Sequence, residues 1–204
     1  MPVDMMDFKA LRIFFTGVGG QGTLLATRLV GEAALEQGLP VCLSEIHGMA
    51  QRGGVVESSV VVGNIASPTI ADGEADILLA FEPLEAARAL PKCHAGSLII
   101  ANTAPLVPFT VAVGQSQYPQ LAQMHDLLEN KVARLIWFDA VELARRSGSD
   151  KAANVVMVGV LAGLRPLPID DRSWQQALQK TVPARFLEMN QKAFEAGREF
   201  GSSC

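Results

Sequence analysis

The sequence predicts a three-layer α/β/α domain on a mostly parallel sheet, with one strand placed to run antiparallel, so that the sheet is mixed. Three observations predict it. Short apolar runs rich in β-branched and aromatic residues alternate with helical patterns through the first three quarters of the chain. A glycine-rich turn joins the first such run to the first helix. From Asn154 onward the pattern is helical, so 154–204 reads as the helical C-terminal portion of a single domain spanning 1–204.

The elements follow in order. Leu11-Arg12-Ile13-Phe14-Phe15-Thr16 has the composition of a buried strand. Beyond the turn, Leu25, Leu29 and Ala33 recur at helical spacing, with Arg28, Glu32 and Glu36 on the opposite stripe and Gly38 placed to end the helix. Val41-Cys42-Leu43 opens a second strand and completes a βαβ unit. Val55–Val62 reads as a third strand, too close to the second for a helical crossover and therefore suited to antiparallel pairing. Ile77–Phe81, Ser97–Ala101 and Val132–Phe138 supply further strands. Pro83 opens one helix, and Asp139 with Glu142 has capping-box spacing for another that Gly148 stops. The stretch Val155–Gly163 is apolar all round, which marks a buried helix, and its glycines permit close backbone contact. Two amphipathic helices finish the chain: Asp170 and Asp171 lead into one, and Pro183 opens the other, with Phe186, Met189, Ala193, Phe194 and Phe200 on its apolar face.

Composition excludes several functions. Of 204 residues, 49% are hydrophobic and only 19% charged, a share consistent either with a dense α/β core or with a surface covered by a partner. A net charge of −4 without a basic cluster gives no nucleic-acid footprint. No apolar run reaches the ~18 residues a membrane span needs, and Met1-Pro2-Val3-Asp4 lacks a basic leader, so a cytoplasmic location is expected. Cys42, Cys93 and Cys204 are scattered: they offer no disulfide framework, no metal pair and no four-thiolate set, and Cys42 is expected to sit buried and inert in an apolar strand. His94 and His125 have no second histidine at ligand spacing, so no metal site is expected.

The chemistry lies in two loops. Gly17-Val18-Gly19-Gly20-Gln21-Gly22 fits G-x-G-x-x-G between a strand and a helix, the Rossmann-like context in which backbone N–H groups meet a phosphate at a helix N-terminus. The same glycines also serve a simple tight turn. Glu45, near the end of the second strand, is late but usable as the acid that a dinucleotide ribose requires, which keeps NAD(P) binding open. The second loop, Ser44 to Gly54, holds His47, Gln51, Arg52 and Gly53 beyond a strand end. Arg52 offers a planar fork to a carboxylate or phosphate, and His47 is a weak candidate for proton transfer. A loop tied together by polar side chains, or docked on another protein, is the plainer alternative. No nucleotide-triphosphate loop and no G-x-S-x-G elbow appears. No Gly-Asp-Gly followed by paired asparagines marks a thiamine diphosphate and magnesium site, since Asp72-Gly73 lacks the preceding glycine.

The glycine turn together with Glu45-Ile46-His47-Gly48-Met49-Ala50-Gln51-Arg52-Gly53-Gly54 resembles the gamma-type subunits of the pyruvate/2-oxoacid ferredoxin oxidoreductases. The likeness continues through Asp76–Glu85, Ala101-Asn102-Thr103, Asn154–Met157 and Lys192–Gly197, in one order along nearly the whole chain. It is nearest to the small subunit of the indolepyruvate type. Gln51-Arg52-Gly53-Gly54 departs from the Arg-Arg-Gly stretch of the pyruvate type, whose gamma subunits, with those of the branched-chain type, remain an alternative. The resemblance implies CoA-dependent oxidative decarboxylation of a 2-oxo acid to an acyl-CoA and CO₂, with electrons passed to ferredoxin. It places thiamine diphosphate, magnesium and iron–sulfur clusters on a larger partner subunit, with no cofactor held by this chain alone. The expected ligand-binding set is Gly17, Gly19, Gly20, Gln21, Gly22, Glu45, Gln51, Arg52 and Gly53. An independent NAD(P)-dependent oxidoreductase and a non-catalytic assembly subunit are the rival readings.

Overall fold

The structure, a computed structural model, describes residues 9–47, 54–65, 67–108, 111 and 113–204, and only the backbone of Ile46 and His47. Among the described residues six strands form one sheet: β1 (Leu11–Val18), β2 (Val41–His47), β3 (Val55–Val62), β4 (Ala75–Ala80), β5 (Cys93–Asn102) and β6 (Arg134–Phe138). Their spatial order is β2-β3-β1-β4-β5-β6. β1, β4, β5 and β6 run parallel, while β3 is antiparallel to both β1 and β2. The sheet is therefore mixed, as the short connection before β3 requires. The βαβ reading needs one amendment: β1 and β2 point the same way, but β3 lies between them and pairs with each along its length, Leu11 opposite Val62 and Val41 opposite the same residue.

Alternation along the strands feeds two cores. Ile13, Phe15, Val60, Val62, Ile77 and Leu79 face one way, onto α1 (Thr23–Glu36), α4 (Ala140–Arg146), α5 (Ala153–Leu164), α6 (Asp171–Thr181) and α7 (Leu187–Ser203). Phe14, Val61, Leu78 and Ile99 face the other way, onto α2 (Pro83–Ala89) and α3 (Leu121–Glu129). This is the three-layer arrangement, with the C-terminal helices thickening one layer.

Local chemistry explains the helix ends. Glu82 caps α2 by accepting the Glu85 N–H at 3.0 Å, with Pro83 just inside the helix, where a missing N–H costs nothing. Asp139 accepts the Glu142 N–H at 2.8 Å and opens α4; Asp170 accepts that of Ser173 at 2.7 Å and opens α6. Gly38 and Gly148 end their helices with φ of 78° and 117°.

From Asn154 to Gly163 every residue of α5 is buried. Its Gly159 and Gly163 lie directly against the backbone of α7, and Gly197 and Gly201 of α7 lie against that of α5. A Cβ at Gly159 would fall 2.2 Å from the Phe194 carbonyl oxygen, and one at Gly197 would fall 2.1 Å from that of Val156.

Two expectations are corrected here. Phe186 is 42% exposed, because Pro183 leads a 3₁₀ turn (Ala184–Phe186) that turns it outward before α7 starts at Leu187. Cys42 is only half-buried, on the edge strand β2, with its thiol donating to the Ile65 carbonyl; the buried thiol is Cys93, which burial pushes up to about 11.

Candidate ligand site at the glycine turn

β1 and β4 are neighbours, yet the chain leaves them for opposite faces of the sheet: α1 after β1, and α2 after β4. Such a switch point opens a crevice beyond the carboxyl ends of the strands. A cavity of about 670 Å³ occupies it, edged by Gly19, Gly20 and Gln21 after β1, Phe81 after β4, and Asn102 to Leu106 at the end of β5. Val141 of α4 and the segment from Asp150 through Asn154 to Met157 close its far side.

Side-chain amides fasten the three loops together. The Gln21 Oε1 accepts the Val18 N–H at 2.8 Å, and its Nε2 donates to the Phe81 carbonyl at 3.0 Å. Asn102 donates to that same carbonyl at 3.0 Å, while its Oδ1 accepts the N–H of Ala140 at 2.9 Å. Asn154, only 4% exposed, donates from Nδ2 to the Gly22 carbonyl at 3.1 Å. Gly22 caps α1 in the left-handed region, φ 77°, and a Cβ there would lie 2.3 Å from the Asn154 amide nitrogen. α1 has no side-chain cap, so the N–H groups of its first turn remain available to a ligand.

Behind Phe81 lies a buried carboxylate cluster. The Glu82 carboxylate accepts from the Leu106 N–H at 3.3 Å and from the Tyr118 hydroxyl, and so holds both residues beside α2. Burial and that hydrogen bond to Glu82 push the Tyr118 phenol well above its usual range. Glu85 pairs with Arg88 at 2.6 Å, yet its second oxygen has no partner among the described residues. Burial raises the Glu85 carboxyl above its usual range; Arg88 opposes this, and Glu82 and Glu57 add to it. A raised pKa means that the folded chain holds this proton more tightly than the unfolded chain does. The associated stability is fully present at acid pH and is lost as pH rises from the ordinary carboxylate range through the raised value. Glu85→Gln, which cannot ionise, should gain in melting temperature relative to the native chain between pH 4 and pH 7, whatever its absolute offset. A gap that is constant across that range, by calorimetry, would show that Glu85 titrates normally.

The residues expected to bind ligand fall into three groups. Gly19, Gly20 and Gln21 line the cavity; Gly17 and Gly22 flank them, one buried at the end of β1 and the other heading α1. Glu45 is elsewhere: it sits on β2, pairs with Arg28 at 3.3 Å, and does not line the cavity. Gln51, Arg52 and Gly53 lie outside the described residues, as does the side chain of His47. Four polar cavity residues lie outside the expected binding set: Asn102, Asp150, Lys151 and Asn154. Two of them fall in segments that carry the family resemblance, Ala101-Asn102-Thr103 and Asn154–Met157, and Asn154 also heads an otherwise apolar helix. His125, which has no histidine partner, does approach Asp126 and Glu129 on the surface of α3, at 3.4 and 3.8 Å.

An open, mixed α/β sheet with a glycine turn bordering a largely apolar switch-point cavity has the general form of a small-molecule site on an α/β fold. Residues 12–200 match the pyruvate ferredoxin/flavodoxin oxidoreductase family, and the chain belongs to it. It is 39% identical over 191 residues to the indolepyruvate oxidoreductase subunit IorB of Methanothermobacter thermautotrophicus, covering 94% of this chain and 96% of that one. Among solved structures it resembles the gamma subunit of a keto/oxoacid ferredoxin oxidoreductase from Geobacter sulfurreducens, with a TM-score of 0.69 at 24% identity over 95% of this chain and 99% of that one. It also resembles the 2-oxoglutarate:ferredoxin oxidoreductase of Magnetococcus marinus, solved with 2-oxoglutarate, coenzyme A and succinyl-CoA bound. That likeness has a TM-score of 0.70 at 17% identity and covers 97% of this chain and 32% of that one. At such identities the solved structures establish the shared fold. Among the described residues no helix is long and apolar enough to cross a membrane.

Proposed function

We propose that this chain, a single domain over 1–204, is the small subunit of a cytoplasmic, indolepyruvate-type 2-oxoacid:ferredoxin oxidoreductase. The observation that carries the reading is the end-to-end match, at 39% identity, to an indolepyruvate oxidoreductase subunit of nearly the same length. In the reaction a 2-oxo acid and coenzyme A give an acyl-CoA and carbon dioxide, and the electron pair passes to ferredoxin. Thiamine diphosphate with magnesium, which stabilises the carbanion left by decarboxylation, and the iron–sulfur clusters that carry electrons reside on a larger partner subunit. The donor chemistry of this chain agrees: three separated cysteines, one half-buried, one buried and one exposed, supply no four-thiolate set. Its own contribution is the glycine-turn cavity, which binds the phosphates of coenzyme A or the carboxylate of the oxo acid through backbone N–H groups around Gly20 and the first turn of α1. Arg52, with Gln51 and Gly53, adds a guanidinium from the second loop, and His47 stays a minor candidate for proton transfer. The pairing of Glu45 with Arg28, away from the cavity, weakens the rival NAD(P) reading, which needs that carboxylate for a ribose.

Co-expression with a thiamine-binding partner tests this. The purified complex should reduce a viologen dye in a CoA-dependent manner, faster with indolepyruvate and phenylpyruvate than with pyruvate. Neither chain alone should do so. Oxidation of a 2-oxo acid by this chain in isolation would overturn the division of labour.

A further inference from the structure

On the α2 side of the sheet, away from the glycine-turn cavity, three polar groups converge with oxygens left unbound. Thr16 of β1 stands opposite Glu57 of β3 in the antiparallel pair, so their side chains share a face. Phe14 and Val61, further along the same two strands at even spacing, put that face under α2. Glu85 of α2 meets it there, close enough for its carboxyl to feel the charge of Glu57. None of the three lines the cavity.

The Thr16 hydroxyl, on a residue 1% exposed, has no hydrogen-bond partner among the described residues. Glu85 is 3% exposed; Arg88 takes one of its carboxylate oxygens at 2.6 Å, and the other is left unpaired. The half-buried Glu57 carboxylate makes no hydrogen bond or ion pair among the described residues. Buried acceptors without a donor are costly, and folded proteins seldom keep them unless something fills the gap. Glu82 adds a third carboxylate beside Glu85, but its two oxygens are already engaged by the N–H groups of Glu85 and Leu106 and by Tyr118. Spacing then selects the guest. Among the described residues, the ligand atoms that gather in a group of three within 4.8 Å belong to His125, Asp126 and Glu129, so Glu57, Glu82 and Glu85 do not close on one ion. A guanidinium spreads five N–H donors over a plane and can reach acceptors too far apart for a single ion.

We infer that Thr16, Glu57 and Glu85 form a socket for an arginine of the larger partner subunit. The inference rests on the proposed function for the existence of that partner. Charge complementarity argues for this occupant: Glu57, Glu82 and Glu85 face Arg88 as their cation among the described residues, which leaves an excess of negative charge. Position argues for it too. The Arg88 side chain is 55% exposed and Glu57 only half-buried, so the socket lies at the surface. Thr16, near the end of β1, sets it at the carboxyl edge of the sheet. The entering guanidinium donates to the free Glu85 oxygen, to the Glu57 carboxylate and to the Thr16 hydroxyl oxygen.

The test titrates the full chain into its separately purified larger partner by isothermal calorimetry. Glu85→Gln and Glu57→Gln should each raise Kd about tenfold or more, and Thr16→Val about threefold or more. In the isolated chain Thr16→Val should leave the melting temperature unchanged or higher, because the hydroxyl has no partner there to lose. A weaker complex from a chain no less stable is a result that a purely structural role does not give. Glu188→Gln, near the start of α7, removes an exposed carboxylate elsewhere and should change neither quantity. Alanine in place of one partner arginine should weaken assembly as much as Glu57→Gln does, and combining the two should add little. Native Kd values in all three socket variants would reject the inference and leave the proposed function standing. Magnesium chloride that stabilises the isolated native chain but not Glu57→Gln would make the guest a metal ion and overturn it. A loss of melting temperature in Arg52→Ala that vanishes beside Glu85→Gln would give the socket to the chain's own guanidinium, and would overturn it equally. A native chain that binds no thiamine-binding partner would remove the proposed function, and the inference with it.

Discussion

Gly159→Ala should lower the melting temperature by about 6–12 °C, the consequence of about 3 kcal/mol in a chain of this size. The new methyl group would fall 2.2 Å from the Phe194 carbonyl oxygen and 3.0 Å from the Arg198 nitrogen, both backbone atoms of α7. Neither can swing aside as a side chain does, so α5 and α7 must separate along their shared length. Separation would also loosen Gly163, Gly197 and Gly201, each of which faces the opposite backbone in the same seam. Alanine's better helix propensity recovers less than about 1 kcal/mol, so the clash decides the sign. Gly31 provides the contrast. It too is buried in a helix, but a Cβ there would meet the Leu43 side-chain methyls at 2.7 and 3.1 Å, the movable end of a residue 38% exposed. Gly31→Ala should shift stability by no more than about 0.5 kcal/mol. Equal melting temperatures for the two variants, by scanning calorimetry, would mean that the α5–α7 backbones are not in contact.

Gly22→Ala should cost about 2–4 kcal/mol and raise KM for coenzyme A in the assembled enzyme several-fold. Two effects add. An L-residue at φ 77° is strained, and its Cβ would lie 2.3 Å from the Asn154 Nδ2. Asn154 must then rotate, giving up its hydrogen bond to the Gly22 carbonyl and carrying its oxygen out of the cavity wall. Gly20 separates the two terms: its φ of 103° is equally unsuited to alanine, but no atom lies within 4 Å of a Cβ there. Gly20→Ala should therefore suffer backbone strain alone. If both variants lose the same stability and the same coenzyme A affinity, the Asn154 contact contributes nothing.

Much of this architecture is legible in local pattern. Runs such as Val60-Val61-Val62 and Leu98-Ile99-Ile100 declare strands buried on both faces, and Pro83, Asp139 and Asp170 mark helix starts through chemistry confined to a single turn. The antiparallel sense of β3 follows from the shortness of its connection. Its insertion between β1 and β2 does not, because strand order is fixed by pairing between residues far apart in sequence, as in Ile13 against Val60. The site divides the same way. Gly19, Gly20 and Gln21 are visible as a contiguous motif, whereas Asn154 reaches Gly22 across 132 positions and Lys151 joins the cavity only through that docking. Glu45 shows the reverse failure: late but usable spacing in sequence, yet a strand once removed from β1 and a carboxylate already paired with Arg28. Phe186 leaves the apolar stripe of the last helix because it ends a proline-led 3₁₀ turn, whose tighter winding rotates side chains off the helical stripe.

The Phe81 carbonyl, shared by the Gln21 and Asn102 amides, bears on the order in which the enzyme is put together. These bonds lie wholly within one polypeptide, so the pocket walls can set before any second chain arrives. The small subunit can then leave its own synthesis with these walls already shaped, and association with another chain need not create them.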